Sequence, residues 1–240
     1  MAHAAIAEFG SSSADLVYGV KRNGKMAHIS EVNSGLACEC VCPACGDTLV
    51  AKKGDELTHH FAHDAGASCH NAPETALHRL AKEIVEEARK LWLPAAIAAD
   101  GDISRVVHRA REISFTRTIR ESRHLQSVVP DLFAELDGHL LLIEIYVTHR
   151  CDAAKIAELR EKGIATVEID LSKMARTASR EEVKQAVLVD AERQWVYHPK
   201  IDAEVAAMRD AAEKRRQAAR EKFDAEIDAA LADYRRAWKP

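Results

Sequence analysis

The sequence lacks long hydrophobic runs and has no large excess of either charge. No segment approaches the roughly 18 consecutive apolar residues of a membrane-spanning helix, and residues 1–20 lack the basic and then apolar stretches of a secretory signal. These absences predict a cytoplasmic protein without a membrane partner. The formal net charge of −4 gives no global attraction for nucleic acid, so any contact with DNA must come from a local basic patch.

One such patch is present in the middle of the chain. Between residues 105 and 124 six arginines stand against two glutamates: Arg105, Arg109, Arg111, Arg117, Arg120 and Arg123 against Glu112 and Glu121. Most charge runs of this kind form a solvated face. A nucleic-acid contact is the alternative interpretation.

The six cysteines are unevenly distributed, with five of them between residues 38 and 69 beside His59, His60, His63 and His70. In a reducing compartment such clustering favours a metal site over disulfides. Cys42 and Cys45 form a Cys-Pro-Ala-Cys-Gly knuckle, in which Gly46 allows a tight turn below the sulfurs. Cys38 and Cys40 follow the alternation of a strand and are left outside the predicted site.

Two further ligands must complete a tetrahedral site. His60, His63 and Cys69 are the candidates; His60 with His63 and His63 with Cys69 are both reachable pairs, and His59 can replace its neighbour after a small shift. A closed site with four ligands has no open position. The segment therefore predicts structural Zn²⁺ in place of a missing hydrophobic core.

The order of predicted elements is a helix, three strands, a helix and a strand. Asn23-Gly24 predicts a hairpin between residues 17–20 and 26–29, and Asp137-Gly138 predicts one between residues 128–136 and 139–148. Helices are expected over residues 73–91, 153–162 and 201–238, and strands near Ile113 and over residues 164–171. We predict a β-rich zinc-binding module (1–70), an α/β core (71–198) and a charged helical extension (199–240), the last an arm, a coiled-coil partner or two helices.

Two acidic residues occupy the arms of the second hairpin. If Leu136 pairs with His139, Asp131 lies opposite Glu144, with Cβ atoms roughly 5 Å apart. Facing carboxylates within apolar strands need a cation between them, and the neighbouring sequence supplies none. A hard divalent ion such as Mg²⁺ satisfies this need. Tyr146 shares the face of Glu144 because side chains alternate along a strand.

These residues resemble a known family. Pro130-Asp131 followed by Glu144-Ile145-Tyr146, in that order of elements, is similar to the PD-(D/E)XK nuclease core. The Cys-Pro-x-Cys-Gly knuckle, the His60-Phe61-Ala62-His63 segment and a helix bearing Glu74, His78 and Lys82 resemble competence protein CoiA-like nucleases. The similarity covers roughly residues 38–171 and implies a restriction-endonuclease-like core.

The resemblance implies DNA cleavage by a water activated by Mg²⁺ or Mn²⁺, with Asp131 and Glu144 as ligands and Glu74 as a third acid. Where relatives carry lysine this chain has Tyr146, a poor general base with a pKa of about 10. Lys155 is our candidate replacement and Lys82 the second. The alternatives are a weak or inactive nuclease-like DNA-binding protein, and a scaffold that recruits a second copy or another protein through its C-terminal helix.

Overall fold

The computed structural model describes residues 16–64, 69–120 and 129–238. The chain divides into two compact units, Met1–Pro94 with Ala110–Tyr197 and Ala95–Arg109 with His198–Pro240. Residues 16–64 thus share a unit with most of the predicted core, whereas a hairpin inserted at Ala95–Arg109 joins the C-terminal helix. Arg123 and Glu121 of the basic patch lie outside the described residues.

The first unit begins with three short strands. β1 (Tyr18–Lys21) and β2 (Met26–His28) are antiparallel, and β3 (Cys40–Val41) pairs with the other edge of β1. The turn at Asn23-Gly24 has the positive φ of 78° at Gly24 that such hairpin turns require. A second hairpin joins β4 (Leu49–Lys52) to β5 (His60–His63). The predicted β-rich N-terminal region is confirmed.

Helix α1 (Ala72–Ala88) is shorter than predicted. It carries Pro73 in its first turn and ends at Arg89, whose φ of 48° is left-handed. The expected continuation to Leu91 is wrong: Lys90–Leu93 forms strand β6, which pairs with β9 (Arg111–Ser114). Leu91 and Leu93 are both buried, and their spacing of two residues is that of a strand. Leu91 also fits the helical period of α1, which is why the helix was predicted to continue to it.

A five-stranded sheet forms the centre of this unit. Its order is β10 (Arg117–Arg120), β11 (Leu132–Leu136), β12 (His139–Tyr146), β13 (Ala165–Asp170) and β14 (Arg193–Tyr197). Helix α2 (Ala153–Lys162) connects β12 to the parallel β13 and ends at Gly163, as predicted. The predicted strand at Ile113 belongs to β9, so the first strand of this sheet is residues 117–120 instead. Helix α3 (Arg180–Gln185) and a π-helical turn (Ala186–Asp190) precede β14.

The two faces of the sheet are buried differently. Ile143 and Ile145 of β12 join a large apolar cluster with Leu80 of α1. On the other face, Leu142 packs in a small cluster with Phe133 and Leu159 of α2. Because side chains alternate along β12, Glu144 shares the face of Leu142 and lies on the α2 side.

The second unit is built on one long helix. α4 (Pro199–Ala237) packs its first turns on a hairpin of β7 (Ala96–Asp100) and β8 (Ile103–His108), with Met208 buried and Arg105 paired to Glu204 at 2.7 Å. The predicted C-terminal helix is therefore a single one. Within the described ranges, the helices lack the combination of length and apolar character that a bilayer span needs.

A buried carboxylate links the N-terminal strands to α1 and α3. Glu83 accepts hydrogen bonds from the Met26 amide (3.0 Å) and from Arg180 (2.8 Å), and its side chain is 1% exposed. Removing one member of such a buried pair leaves the other charge uncompensated. We expect Glu83→Ala to lower the free energy of unfolding by about 3–5 kcal/mol in urea denaturation.

Glu87, one turn along α1, is the matched control. It also accepts a hydrogen bond from Arg180 (2.9 Å), but its side chain is 43% exposed. Glu87→Ala is expected to cost about 1 kcal/mol or less. Equal losses for the two variants would contradict the importance of burial at Glu83.

Candidate functional site

Four potential metal ligands converge next to the first turn of α1. Cys42 follows β3, Cys45 lies three residues on, His63 ends β5, and Cys69 precedes α1. Their ligand atoms all lie within 4.8 Å of one another, and Cys45 Sγ is 3.3 Å from His63 Nε2. Gly46, at φ 83°, donates its amide to the Cys42 carbonyl at 3.0 Å and closes the knuckle. Three separate segments of the backbone, the Cys42–Cys45 knuckle, the end of β5 and the residues before α1, thus bring the four ligands together.

The donor set fits Zn²⁺. Three sulfurs and one imidazole are typical of structural zinc, and ligands at about 2.3 Å from a tetrahedral ion are about 3.8 Å apart, so the group needs only a small contraction. Burial and the neighbouring Cys42 raise the pKa of Cys69 to about 11. A bound divalent cation would supply the positive charge that the crowded thiolates need.

His60 does not take part in this group. Its Nδ1 lies 2.8 Å from the Thr58 carbonyl, and alternation along β5 places His60 and His63 on opposite faces. Of the candidate pairs, the structure therefore favours His63 with Cys69. Cys38 and Cys40 are buried and donate to the carbonyls of Leu49 and Cys38, in keeping with their exclusion.

The carboxylate pair lies in the same unit, at the ends of β11 and β12. Leu136 pairs with His139 and Leu132 with Ile143, so the register continued by one residue sets Asp131 opposite Glu144. The predicted pairing of Leu136 with His139 is therefore confirmed, and the position of Asp131 opposite Glu144 follows as the continuation of that register.

Asp131 is held firmly as an anion. One carboxylate oxygen accepts hydrogen bonds from the Ile145 amide and from His78 Nε2, both at 2.9 Å, and the other lies 3.6 Å from Lys82 Nζ. Burial raises the pKa of Asp131, but His78, the amide and Lys82 together outweigh it and hold the pKa below its usual value. Asp131 is thus a preorganised negative charge.

Glu144, unlike Asp131, has too few hydrogen-bond donors for its carboxylate. Its Oε2 accepts a hydrogen bond from Lys155 Nζ at 2.7 Å, whereas its buried Oε1 has no hydrogen-bond partner in the part of the chain that is described. Burial, and then the charge of Asp131, raise the pKa of Glu144 to about 7 against the pull of Lys155. A buried carboxylate oxygen without a donor, beside a second carboxylate, is a position that a cation would stabilise.

Two lysines that are distant in sequence lie close to these acids. Lys155 comes from the first turn of α2, where the Asp152 side chain caps the helix by accepting from the Lys155 amide at 2.7 Å. Lys82 comes from α1 and is buried. Both are distant in sequence, so the local environment of the hairpin did not reveal them. These are the two lysines proposed as replacements for the motif lysine.

The remaining predicted residues line the surroundings of the pair. Glu74 lies one turn before His78, on the wall of a cleft of about 610 Å³ that His149 also lines, and its buried Oε2 has no hydrogen-bond partner among the described residues. Tyr146 supports Arg150, whose guanidinium lies 4.4 Å from the ring centroid. The structure thus places Tyr146 in a cation–π contact.

Glu168 was not among the predicted site residues. It pairs in register with Glu144 on the adjacent strand and is buried, accepting from Arg150 (3.0 Å), the Cys151 amide (3.2 Å) and Gln194 (3.1 Å). Its position as an acidic residue between Val167 and Ile169 in an apolar strand is the sequence signal by which it would have been found. Glu168 fixes the loop that leads into α2 and therefore the start of the helix bearing Lys155.

The raised pKa of Glu144 predicts a pH dependence of stability. The folded chain keeps this proton from its ordinary value of 4.5 up to about 7. The folded state binds more protons than the unfolded state in this window, so the free energy of unfolding falls as pH rises through it. At about 1.4 kcal/mol per pKa unit the fall is at most about 3.5 kcal/mol.

Urea denaturation at a series of pH values, without added divalent ions, measures this term. Glu144→Gln should remove the fall between about pH 4.5 and pH 7, because glutamine does not titrate. Identical pH profiles for the two proteins would show that Glu144 titrates normally.

Comparison with curated proteins and with solved structures gave no match. Residues 26–72 match the family model described as competence protein CoiA, N-terminal domain. The matched segment contains all four residues of the candidate zinc group and extends to the first residue of α1. The match shows that this segment is similar to the N-terminal domain of competence protein CoiA.

Proposed function

We propose that this protein is a metal-dependent DNA nuclease in which Asp131 and Glu144 hold one Mg²⁺ or Mn²⁺ ion. The observation that carries the proposal is the buried Glu144 carboxylate, which has one oxygen without a donor and a pKa raised partly by Asp131. Oxygen ligands from one or two carboxylates are what Mg²⁺ prefers. The bound ion would activate a water and stabilise charge at the phosphorus and the leaving oxygen.

The protein's own groups have distinct tasks in this proposal. The Ile145 amide and His78 hold one oxygen of Asp131, which leaves the other directed towards Lys82. Burial lowers the pKa of Lys155, but the negative charge and the hydrogen bond of Glu144 raise it by more. The net pKa of Lys155 is therefore raised, and its ammonium group stays charged. Lys155 therefore stabilises negative charge on the substrate and does not act as a base. Glu74, as third acid, completes the wall beside His78.

The surroundings of Asp131 suit a phosphate backbone. A cleft of about 770 Å³ beside it is lined by His78, Arg79, Lys82 and Arg120. Local positive charge of this kind compensates for the net charge of −4. Arg120 is also paired with Glu86, so only part of the predicted basic patch contributes here.

A nuclease-like DNA-binding protein without cleavage is the second candidate. The contact between Lys155 and Glu144 at 2.7 Å favours it, because the lysine already supplies a cation to one of the two acids. The two candidates differ in what the divalent ion does. In the binding protein the ion is dispensable, whereas in the nuclease it is required.

An assay on linear and closed circular DNA separates them. The purified full chain, loaded with zinc, is incubated with each DNA in the presence and absence of Mg²⁺ or Mn²⁺. The nuclease proposal expects nicked or shortened products only with the ion. Salt-sensitive DNA binding without product under any ion would establish the binding protein instead.

A further inference from the structure

An apolar stripe covers the last third of α4. Five large side chains recur every three or four residues on one side of the helix: Phe223, Ile227, Leu231, Tyr234 and Trp238. Their exposed fractions range from 46% to 74%, in contrast to the buried Met208 near the start of the same helix. A contiguous apolar stripe of this length is a typical docking face for another helix.

We propose that this stripe binds the same stripe of a second copy of the chain in antiparallel orientation. The stripe is self-complementary about a midpoint between Ala230 and Leu231. Phe223 then lies level with the partner's Trp238, and Ile227 level with the partner's Tyr234. These two levels each pair two large side chains, and the two copies of Leu231 lie on either side of the midpoint, which gives the isologous contact of a twofold dimer.

The charges beside the stripe determine the orientation. At 3.6 residues per turn, Asp224, Asp228 and Arg235 all lie on the same flank of the stripe. In the antiparallel arrangement residue 235 lies level with residue 226 of the partner, so Arg235 falls between the partner's Asp224 and Asp228. Because the dimer is twofold symmetric, this contact occurs twice.

The parallel arrangement is disfavoured by the same residues. It brings opposite flanks together at equal height and sets Asp224 and Asp228 beside the partner's Glu226. Like charges in such positions are destabilising. The charges at these four positions favour the antiparallel dimer, independently of the proposed nuclease activity. Asp233, on the flank of Glu226, is paired with Arg236 of its own helix.

Sedimentation equilibrium of the full chain tests the dimer. The wild-type protein should have the mass of two chains, and Leu231→Asp should have the mass of one. Ala229→Asp is the matched control, since it adds the same charge two residues away on the opposite side of α4 and should stay dimeric. Circular dichroism should show that both variants retain their helix.

Charge reversal tests the orientation. We expect Arg235→Asp to weaken dimerisation about tenfold, because two ion pairs are lost. Combining it with Asp224→Arg and Asp228→Arg should restore the wild-type affinity. A wild-type chain that is monomeric at every concentration would overturn the proposal, as would a stripe that binds DNA or another protein in place of a second copy. Failure of the triple variant to recover would overturn the antiparallel orientation.

Discussion

Asp131→Asn and Glu144→Gln should each reduce metal-dependent DNA cleavage at least about 100-fold, the scale on which a preorganised charge-stabilising group acts. Each change removes one of the two negative charges that hold the ion, while an amide of nearly equal size preserves packing. Rates are measured with nicking of circular DNA at saturating Mg²⁺. Asp131→Asn must be checked for folding, since its carboxylate also accepts from the Ile145 amide.

Glu135→Gln provides the control for this pair. It makes the same acid-to-amide change on β11, four residues from Asp131, and should retain wild-type activity. Cleavage that survives both Asp131→Asn and Glu144→Gln would assign the activity to another site. Loss of cleavage with equal loss in Glu135→Gln would indicate damage to the hairpin and not to the metal site.

Removing zinc should have the largest effect on folding. Structural zinc contributes roughly 10 kcal/mol or more to small zinc domains; the effect here is expected to be smaller because the surrounding strands also share the main apolar cluster. His63→Ala is expected to lose bound zinc and to expose residues 40–72 to protease. Zinc content by atomic emission and the proteolytic pattern measure the two effects.

His60→Ala distinguishes the two histidines of β5. His60 lies outside the four-ligand group, so this variant should keep its zinc and its protease resistance. Zinc lost from His60→Ala and kept by His63→Ala would require a different ligand set from the one that the structure brings together.

Local signals predicted much of the backbone. The turns at Asn23-Gly24 and Asp137-Gly138 fixed their hairpins, and Gly163 ended α2 at the predicted residue, because each position depends on the conformation of a few neighbouring residues. The end of α1 was missed since Leu91 fits both a helical and a strand period. Arg89, an ordinary residue in a left-handed conformation, gave no sequence signal of the break.

The contacts of the carboxylate site depended on tertiary structure. The pairing of Asp131 with Glu144 followed from counting along one hairpin, but the approach of Lys155, Lys82 and His78 depends on how two helices pack on the sheet. Choosing Lys155 as a substitute for the lysine at the position of Tyr146 needed the resemblance. The position of Lys155, 2.7 Å from Glu144, is now given by the structure.

Binding of Mn²⁺, followed by electron paramagnetic resonance, tests the shared-ion proposal most directly because it does not require activity. The wild-type chain should bind one Mn²⁺ ion at a site that is lost in both Asp131→Asn and Glu144→Gln and kept in Glu135→Gln. Undiminished Mn²⁺ binding by the first two variants, or none by the wild type, would contradict a divalent ion held between these carboxylates.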